Sequence, residues 1–322
     1  MKNILAAATV LLAVMGSAFA QNFPSRPMTM IIPFTAGGPT DLVGRLIAQR
    51  MGDILGQTVI VENVGGAGGM NGSKRVADAK PDGYTFGIGT VGSHAQNQTL
   101  YAHPLYNSVT DFTPVALIAE VPIVLITRKD LPVNNLKEFV AYAKANQEKM
   151  QFGSGGVGAA SHLGCVVLNT AMGTKITHIP YKGGGPAMQD VIAGRIDFEC
   201  EIMSTVKSHI DGGSVKALAI LSKTRSPVEP NLPTALEQGL DVQAYTWNAA
   251  FLPKGVPAAI VKKLNSAIVQ AMNMPAVRER LQSVGAQVVP DDRATPEYLG
   301  NFVKSEILKW AAPIKASGVM VK

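Results

Sequence analysis

Charge is scarce in this 322-residue chain, at 16% of residues against 47% hydrophobic, and aromatic residues make up only 6%. So much apolar content excludes a disordered chain, which stays unfolded because it has too little apolar surface to offset chain entropy. Two cysteines and five histidines leave no material for a metal cage or a disulfide-dense scaffold. No H-E-x-x-H or clustered Cys/His spacing occurs, so neither a metal nor another cofactor is expected. The G-x-S-x-G nucleophile elbow of many hydrolases is missing as well. The formal net charge of +6 is dilute, a mild bias toward anions and no nucleic-acid footprint. Internal repeats and low-complexity tracts are lacking. Glycine is what the chain has in excess: 32 residues, most of them gathered at 37–38, 65–72, 87–92, 153–158, 183–185 and 212–213.

The first twenty residues read as a secretory signal peptide. Lys2 supplies the positive start, residues 4–15 an apolar stretch too short to span a bilayer, and Ala18-Phe19-Ala20 a small-x-small site predicting cleavage after Ala20. Export places the mature chain in an oxidising compartment, a bacterial periplasm. There Cys165, on a predicted helix, and Cys200, at the end of a predicted strand, are expected to form a disulfide, with two buried thiols as the alternative.

Residues 28–34 form a short apolar run that breaks at Pro33 into Thr35-Ala36-Gly37-Gly38-Pro39-Thr40. From Asp41 on, Leu42, Val43, Leu46, Ile47 and Met51 recur at helical spacing, with Thr40 as the expected N-cap. Further strands are predicted at 58–61, 84–88, 150–153, 176–179, 197–201 and 216–219. Helices are predicted at 73–79, 135–146, 158–172, 187–192, 205–210, 257–272, 276–284 and 296–311. Strands alternating with helices imply parallel βαβ units and an α/β fold. The stretches 112–128 and 242–251 break the rhythm and read as two crossovers between two α/β lobes, with a cleft between them.

Gly153-Ser154-Gly155-Gly156-Val157-Gly158 fits the G-x-G-x-x-G dinucleotide pattern, but the next carboxylate is Asp190, too far on for a ribose partner. What remains is glycine backbone opening a helix, a site for any anion. The first turn, Phe34 to Asp41, repeats that design in the other half of the chain. Both turns read either as two sides of one ligand cradle or as tight βα connections only. Asp41 either caps its own helix, the commoner fate, or meets the ligand. His94 and His162 each follow a serine and are expected in hydrogen-bonded positions at the base of the cleft. Lys182 in the turn 181–186 is a solvated lysine or a source of positive potential. Trp247 either stacks on a ligand or fills a gap between lobes; the first option tilts the ligand toward an aromatic acid.

A set of motifs in fixed order then identifies a resemblance. It comprises Pro33-Phe34 with Gly37-Gly38 and Asp41; Val61-Glu62-Asn63 with the 65–69 loop; Pro81-Asp82-Gly83-Tyr84-Thr85; His94-Ala95; and Asp111-Phe112-Thr113-Pro114-Val115. Gly153-Ser154-Gly155 with Gly158 and His162-Leu163, Pro180-Tyr181-Lys182-Gly183 with Pro186-Ala187, Ala193 to Asp197, and Pro253 to Pro257 complete it. Across essentially the whole mature chain these motifs resemble the periplasmic Bug-type receptors of tripartite tricarboxylate transporters. The resemblance implies an α/β, two-lobed type II periplasmic-binding-protein fold with a central ligand cleft. Lobe I would be 21–124 with 248–322, and lobe II 125–247. It implies a monomeric receptor, not an enzyme, that captures a small carboxylate and hands it to the transporter's membrane subunits. The acid would be a di- or tricarboxylate, or an aromatic dicarboxylate such as terephthalate. One carboxylate would be held by Phe34, Thr35, Ala36, Gly37 and Asp41 from one side and by Ser154, Gly155, Gly158, Ser161 and His162 from the other. Ser93 and His94 would line the same cleft. Glu201, Ser204 and Trp247 are candidates for the distal end, although Glu199 and Glu201 would repel a second carboxylate if both pointed inward. The competing readings are an exported hydrolase using the same cleft and an orphan receptor serving a signalling partner.

Overall fold

The computed structural model describes residues 23–181 and 183–321; the expected signal peptide and Lys182 lie outside the described residues. The chain begins with β1 (Met28–Ile32), α1 (Pro39–Leu55), β2 (Val59–Asn63), α2 (Met70–Ala77), β3 (Thr85–Thr90) and the short α3 (Asn97–Leu100). The 17-residue β4 (Phe112–Arg128) leads into α4 (Leu136–Asn146), β5 (Gln151–Ser154), α5 (Ala160–Met172), β6 (Thr177–Pro180) and α6 (Gly184–Ile192). β7 (Phe198–Ile202), α7 (Met203–Asp211) and β8 (Val215–Ile220) follow. β9 (Tyr245–Pro253) carries the chain back to the first half, where α8 (Ala258–Asn273), α9 (Pro275–Ser283), β10 (Gln287–Val288) and α10 (Pro296–Ser317) complete it.

The strands are ordered β2-β1-β3-β9-β4-β7-β5-β6, with β8 and β10 also pairing β4. β1 runs parallel to β2 and β3, and β5 parallel to β6 and β7. β4 is the element common to both groups. From Phe112 to Pro122 it lies antiparallel to β9, and from Ile123 to Thr127 antiparallel to β7, with β8 on its other edge. Residues 115–119 and 123–126 are buried without a break, as expected of a strand covered on both faces. This is why β4 shows no polar alternation in its sequence.

Helix α1 shows how the sequence sets its own boundaries. Pro39 occupies the first helical position, where its fixed φ is pre-formed and its missing N–H is no loss. The N-cap is therefore Gly38 and not the expected Thr40, and Val43, Ile47 and Met51 turn inward. Gly56, at φ 69°, closes the far end through a bond from its N–H to the Gly52 carbonyl. The two-residue β10, which pairs with Glu120 and Ala119, is too short to give a sequence signal.

Cys165 on α5 and Cys200 on β7 are bonded, their Cα atoms 5.3 Å apart and within the range a disulfide requires. The bond ties helix to strand, so Cys200 faces α5. Strand alternation then sends Glu199 and Glu201 to the opposite face. Denatured, unreduced protein should show no titratable thiol. Replacing both cysteines with alanine should lower unfolding free energy in urea by about 4 kcal/mol, the chain-entropy value for a loop of this length.

Candidate functional site

The turns that leave β1, β3, β5, β6 and β7 open on a single cavity of about 570 Å³, at the carboxyl ends of parallel strands where open α/β sheets bind ligands. Phe34, Thr35, Gly38, Pro39 and Thr40 line it from the first turn, and Thr90, Val91 and Gly92 from the turn after β3. Gly155, Val157, Gly158, Ala159, Ala160 and Ser161 come from the turn into α5, Gly183 to Gly185 from the start of α6, and Glu201, Ile202 and Thr205 from the start of α7. Val121 of β4 with Thr246 and Asn248 of β9 close the back. A roomier groove of about 660 Å³ runs along the outside between α1 and β2, where none of these turns converge. Four helices, α1, α5, α6 and α7, thus start on the cavity wall. The first N–H groups of each have no partner within their own helix and carry the positive end of its dipole.

The glycine turns are tied down by their own side chains. Gly155 N–H donates to Ser161 Oγ at 3.0 Å, Gly156 N–H to Ser154 Oγ at 3.1 Å and Gly158 N–H to His162 Nδ1 at 3.2 Å. In the first turn Asp41 does this work. Its Oδ2 accepts from Gly37 N–H and Arg45 Nε, both at 2.9 Å, and its Oδ1 from Asn63 Nδ2 at 2.8 Å. The same Asn63 amide also donates to the Phe34 carbonyl at 3.0 Å. Burial opposes ionisation of Asp41, but the bonds from Arg45, Gly37 and Asn63 outweigh it and hold the carboxyl below the usual range.

Several expected ligand contacts therefore fall elsewhere. Phe34, Thr35, Gly155, Gly158 and Ser161 border the cavity. Ala36 and Gly37 are exposed beside it, and Asp41 and Ser154 are buried supports. Ser93 Oγ accepts from Thr90 N–H at 3.0 Å and meets His94 Nδ1 at 2.9 Å. The His94 ring stacks on Phe251 with centroids 4.0 Å apart, behind the cavity wall. His162 stacks on His178 at 4.1 Å. Burial pushes His94 and His162 down to about 3 and His178 to about 4, so none supplies positive charge at neutral pH. Trp247 is fully buried and gives its Nε1–H to Glu306 Oε2 at 3.1 Å. It packs between β9 and α10, so of its two readings the structure shows a packing role, which removes the reason for favouring an aromatic acid. Its neighbours Thr246 and Asn248 point the other way, into the cavity. Period-two alternation from a core tryptophan is the signal that finds them. Thr40, Thr90 and Thr205 also line the cavity, as do Gly183 to Gly185 of the turn for which the sequence offers only the charge of Lys182.

Comparisons with known proteins come down on the same architecture. Residues 43–319 match the profile of the family described as "Tripartite tricarboxylate transporter family receptor". The chain is 40% identical to the periplasmic binding protein BugD, with a TM-score of 0.82, over 93% of this chain and 100% of that one. MatC from Rhodopseudomonas palustris with bound malate is 38% identical at TM-score 0.81, covering 91% and 100%. Rpa4515 of R. palustris with adipate is 32% identical at TM-score 0.83, covering 92% and 99%.

Asp41→Ala strands three donors at the first turn. Hydrogen bonds to a charged group contribute about 1.5–3 kcal/mol each when buried, but Arg45 is half exposed, so a net loss of about 2 kcal/mol is expected. Because the Asp41 carboxyl titrates below its ordinary value of 3.8, its stabilisation is full above that value and lost as pH falls through the lowered one. Urea unfolding should separate variant and wild type at neutral pH and bring them together in strong acid.

Proposed function

The chain belongs to the tripartite tricarboxylate transporter receptor family, and from that premise we propose that it is an exported solute-binding receptor for a small aliphatic dicarboxylate. The observation that carries this reading is the convergence of four helix starts on a cavity with neutral hydroxyl and amide side chains and, among its described lining residues, one titratable group, Glu201. Helix N-termini hold carboxylates by N–H donation. They do so without a buried counter-ion, whose desolvation is expensive. The relatives holding malate and adipate support an aliphatic ligand.

In this reading the open receptor binds the acid and then closes about β4 and β9, bringing residues 21–124 with 248–322 onto residues 125–247. One carboxylate sits between the turn at Phe34 to Thr40 and the turn at Gly155 to Ser161. Thr205, Thr246 and Asn248 address the remainder of the ligand. The closed form is what a membrane transporter recognises, and reopening releases the acid, because differential affinity for the closed state is all that drives closure. The expected setting is the periplasm, after cleavage following Ala20, with the receptor acting as a monomer.

One contact favours the hydrolase alternative: Ser154 Oγ lies 2.6 Å from His178 Nε2. Ser154, however, has no exposed surface, and its oxygen already accepts from Gly156 N–H. It holds the turn together and meets no substrate.

A thermal-shift panel of malate, adipate, citrate and terephthalate tests the receptor reading. An acid at 100 times its dissociation constant should add about 2.7 kcal/mol of stability, and incubation should yield no product. A panel in which no acid shifts the melt overturns the proposal. A Cβ at Gly155 would stand 3.1 Å from the Gly184 backbone nitrogen. Gly155→Val should therefore spread the two turns and weaken binding by at least about tenfold, the 1.4 kcal/mol that overpacking readily costs.

A further inference from the structure

Two carboxyl groups meet at the wall of the cavity, with no cation paired to either among the described residues. Glu199 and Glu201 lie two residues apart on β7, on the face turned away from the disulfide. Glu199 has no exposed surface, and neither of its oxygens finds a conventional donor; what its carboxyl reaches is that of Glu201. Glu201, 4% exposed, borders the cavity. Its Oε1 accepts the Ile202 N–H at 2.7 Å, and the Ser161 hydroxyl faces it. Its Oε2 lies against the first turn of α6, where a Cβ at Gly184 would come within 2.7 Å. Glycine at 184 is what makes room for the carboxyl.

Among the described residues, the groups around the pair offer it no compensating charge. β4 presents Val124 and Ile126 in register with Glu201 and Glu199, and β5 presents Gly153. At the start of α5 stands the Ser161 hydroxyl. From the segment joining β6 to α6, Tyr181 gives its hydroxyl proton to Asp190 at 2.6 Å, and Asp190 is in turn paired with Arg195. On α7, Lys207 is held by Asp211 and Glu229. Among the described residues no lysine, arginine or histidine forms an ion pair with either glutamate. Two neighbouring buried carboxyl groups without a cationic partner resist ionising together.

We propose that Glu201, backed by Glu199, meets the acidic end of the captured ligand as an uncharged O–H donor, so that capture of the acid is linked to a proton. This inference rests on the receptor reading above and deepens it. Burial, together with the facing carboxyl for Glu199, pushes both groups above the usual carboxylate range. An incoming dicarboxylate adds a further negative charge beside the pair and draws a proton onto Glu201, whose O–H then donates to the ligand. Without that proton Glu201 faces the ligand as a second anion and repels it. The receptor thereby recognises both ends of a diacid: one by helix N–H groups, the other by an acid–carboxylate hydrogen bond.

Calorimetric titration of malate and adipate from about pH 6 to about pH 9, in two buffers of different ionisation heat, tests this. Binding should take up a proton. Affinity should fall as pH rises, by up to about tenfold per unit for one linked proton, and Glu201→Gln, which donates at every pH, should abolish that slope. The proton count in wild type needs no variant and stands if Glu201→Gln fails to fold. PH-independent affinity without proton uptake overturns the inference while leaving the receptor reading intact. Affinity that rises with pH overturns it too, since it means that an ionised Glu201 accepts a donor from the ligand. If neither these acids nor the rest of the panel bind at any pH, the receptor reading fails and this inference falls with it.

Discussion

The antiparallel pairing of β4 with β9 is the constraint on which the rest depends. β4 alone continues from β9 onto β7 and β8, and the register from Phe112↔Pro253 to Pro122↔Tyr245 fixes how the two groups of parallel strands are joined. Alternation along β9 then performs two tasks at once. Trp247 goes inward, where Glu306 accepts hydrogen bonds from Trp247, Trp310, Tyr245 and Lys309 and fastens the strand to α10. Thr246 and Asn248 go outward to the ligand cavity. A slip of one residue would exchange the two sets, placing an indole in the cleft and leaving polar groups in the core. The buried anchor therefore specifies the register that makes the binding face.

Around that frame the cavity is built largely from backbone, and its precision comes from side chains that bond the turns, most of them set back from the space. Ser154, Ser161 and His162 each take a turn N–H, and Asp41 takes another while holding Asn63 against the Phe34 carbonyl. A glycine-rich loop left to itself would lose much conformational entropy on binding. Pinned in this way, the loops lose that freedom on folding, and binding keeps more of its interaction energy. The neutral histidines contribute by shape and stacking: His94 on Phe251 and His162 on His178.

Much of this was legible in the sequence because the architecture rests on periodicity and turn chemistry. The alternation of short strands with helices gave the α/β class, and the apolar run 112–128 coincides with β4 from end to end. Legibility failed where one residue type serves two purposes. A glycine turn looks the same whether its N–H groups face a ligand or its own serine, so for Ser154, His162 and Asp41 the sequence leaves support and contact side by side, and the structure shows the bonds that support. Trp247 reads equally as a ligand platform or a gap filler because nothing local in the sequence announces Glu306, 59 residues away. Thr40 had the chemistry of an N-cap, yet Pro39 moved the cap to Gly38 and left the threonine hydroxyl to face the cleft. These are tertiary decisions, taken by partners distant in the chain.

The scarcity of charge and the buried glutamate pair follow from the same electrostatic choice. A cleft lined with arginine would bind acids tightly, but it would have to desolvate those cations on every closure. Partial charges on helix starts and hydroxyls are already oriented when the ligand arrives and need no such reorganisation. The consequence is that the local field has little reserve: one ionised carboxyl at the cavity wall weighs more here than it would beside a guanidinium. Glu201 sits at that wall, accepting the Ile202 N–H. Glu199 behind it has no exposed surface, so what reaches the pair reaches it through Glu201. In a site this neutral, a proton is the smallest change that alters what the wall presents to an anion.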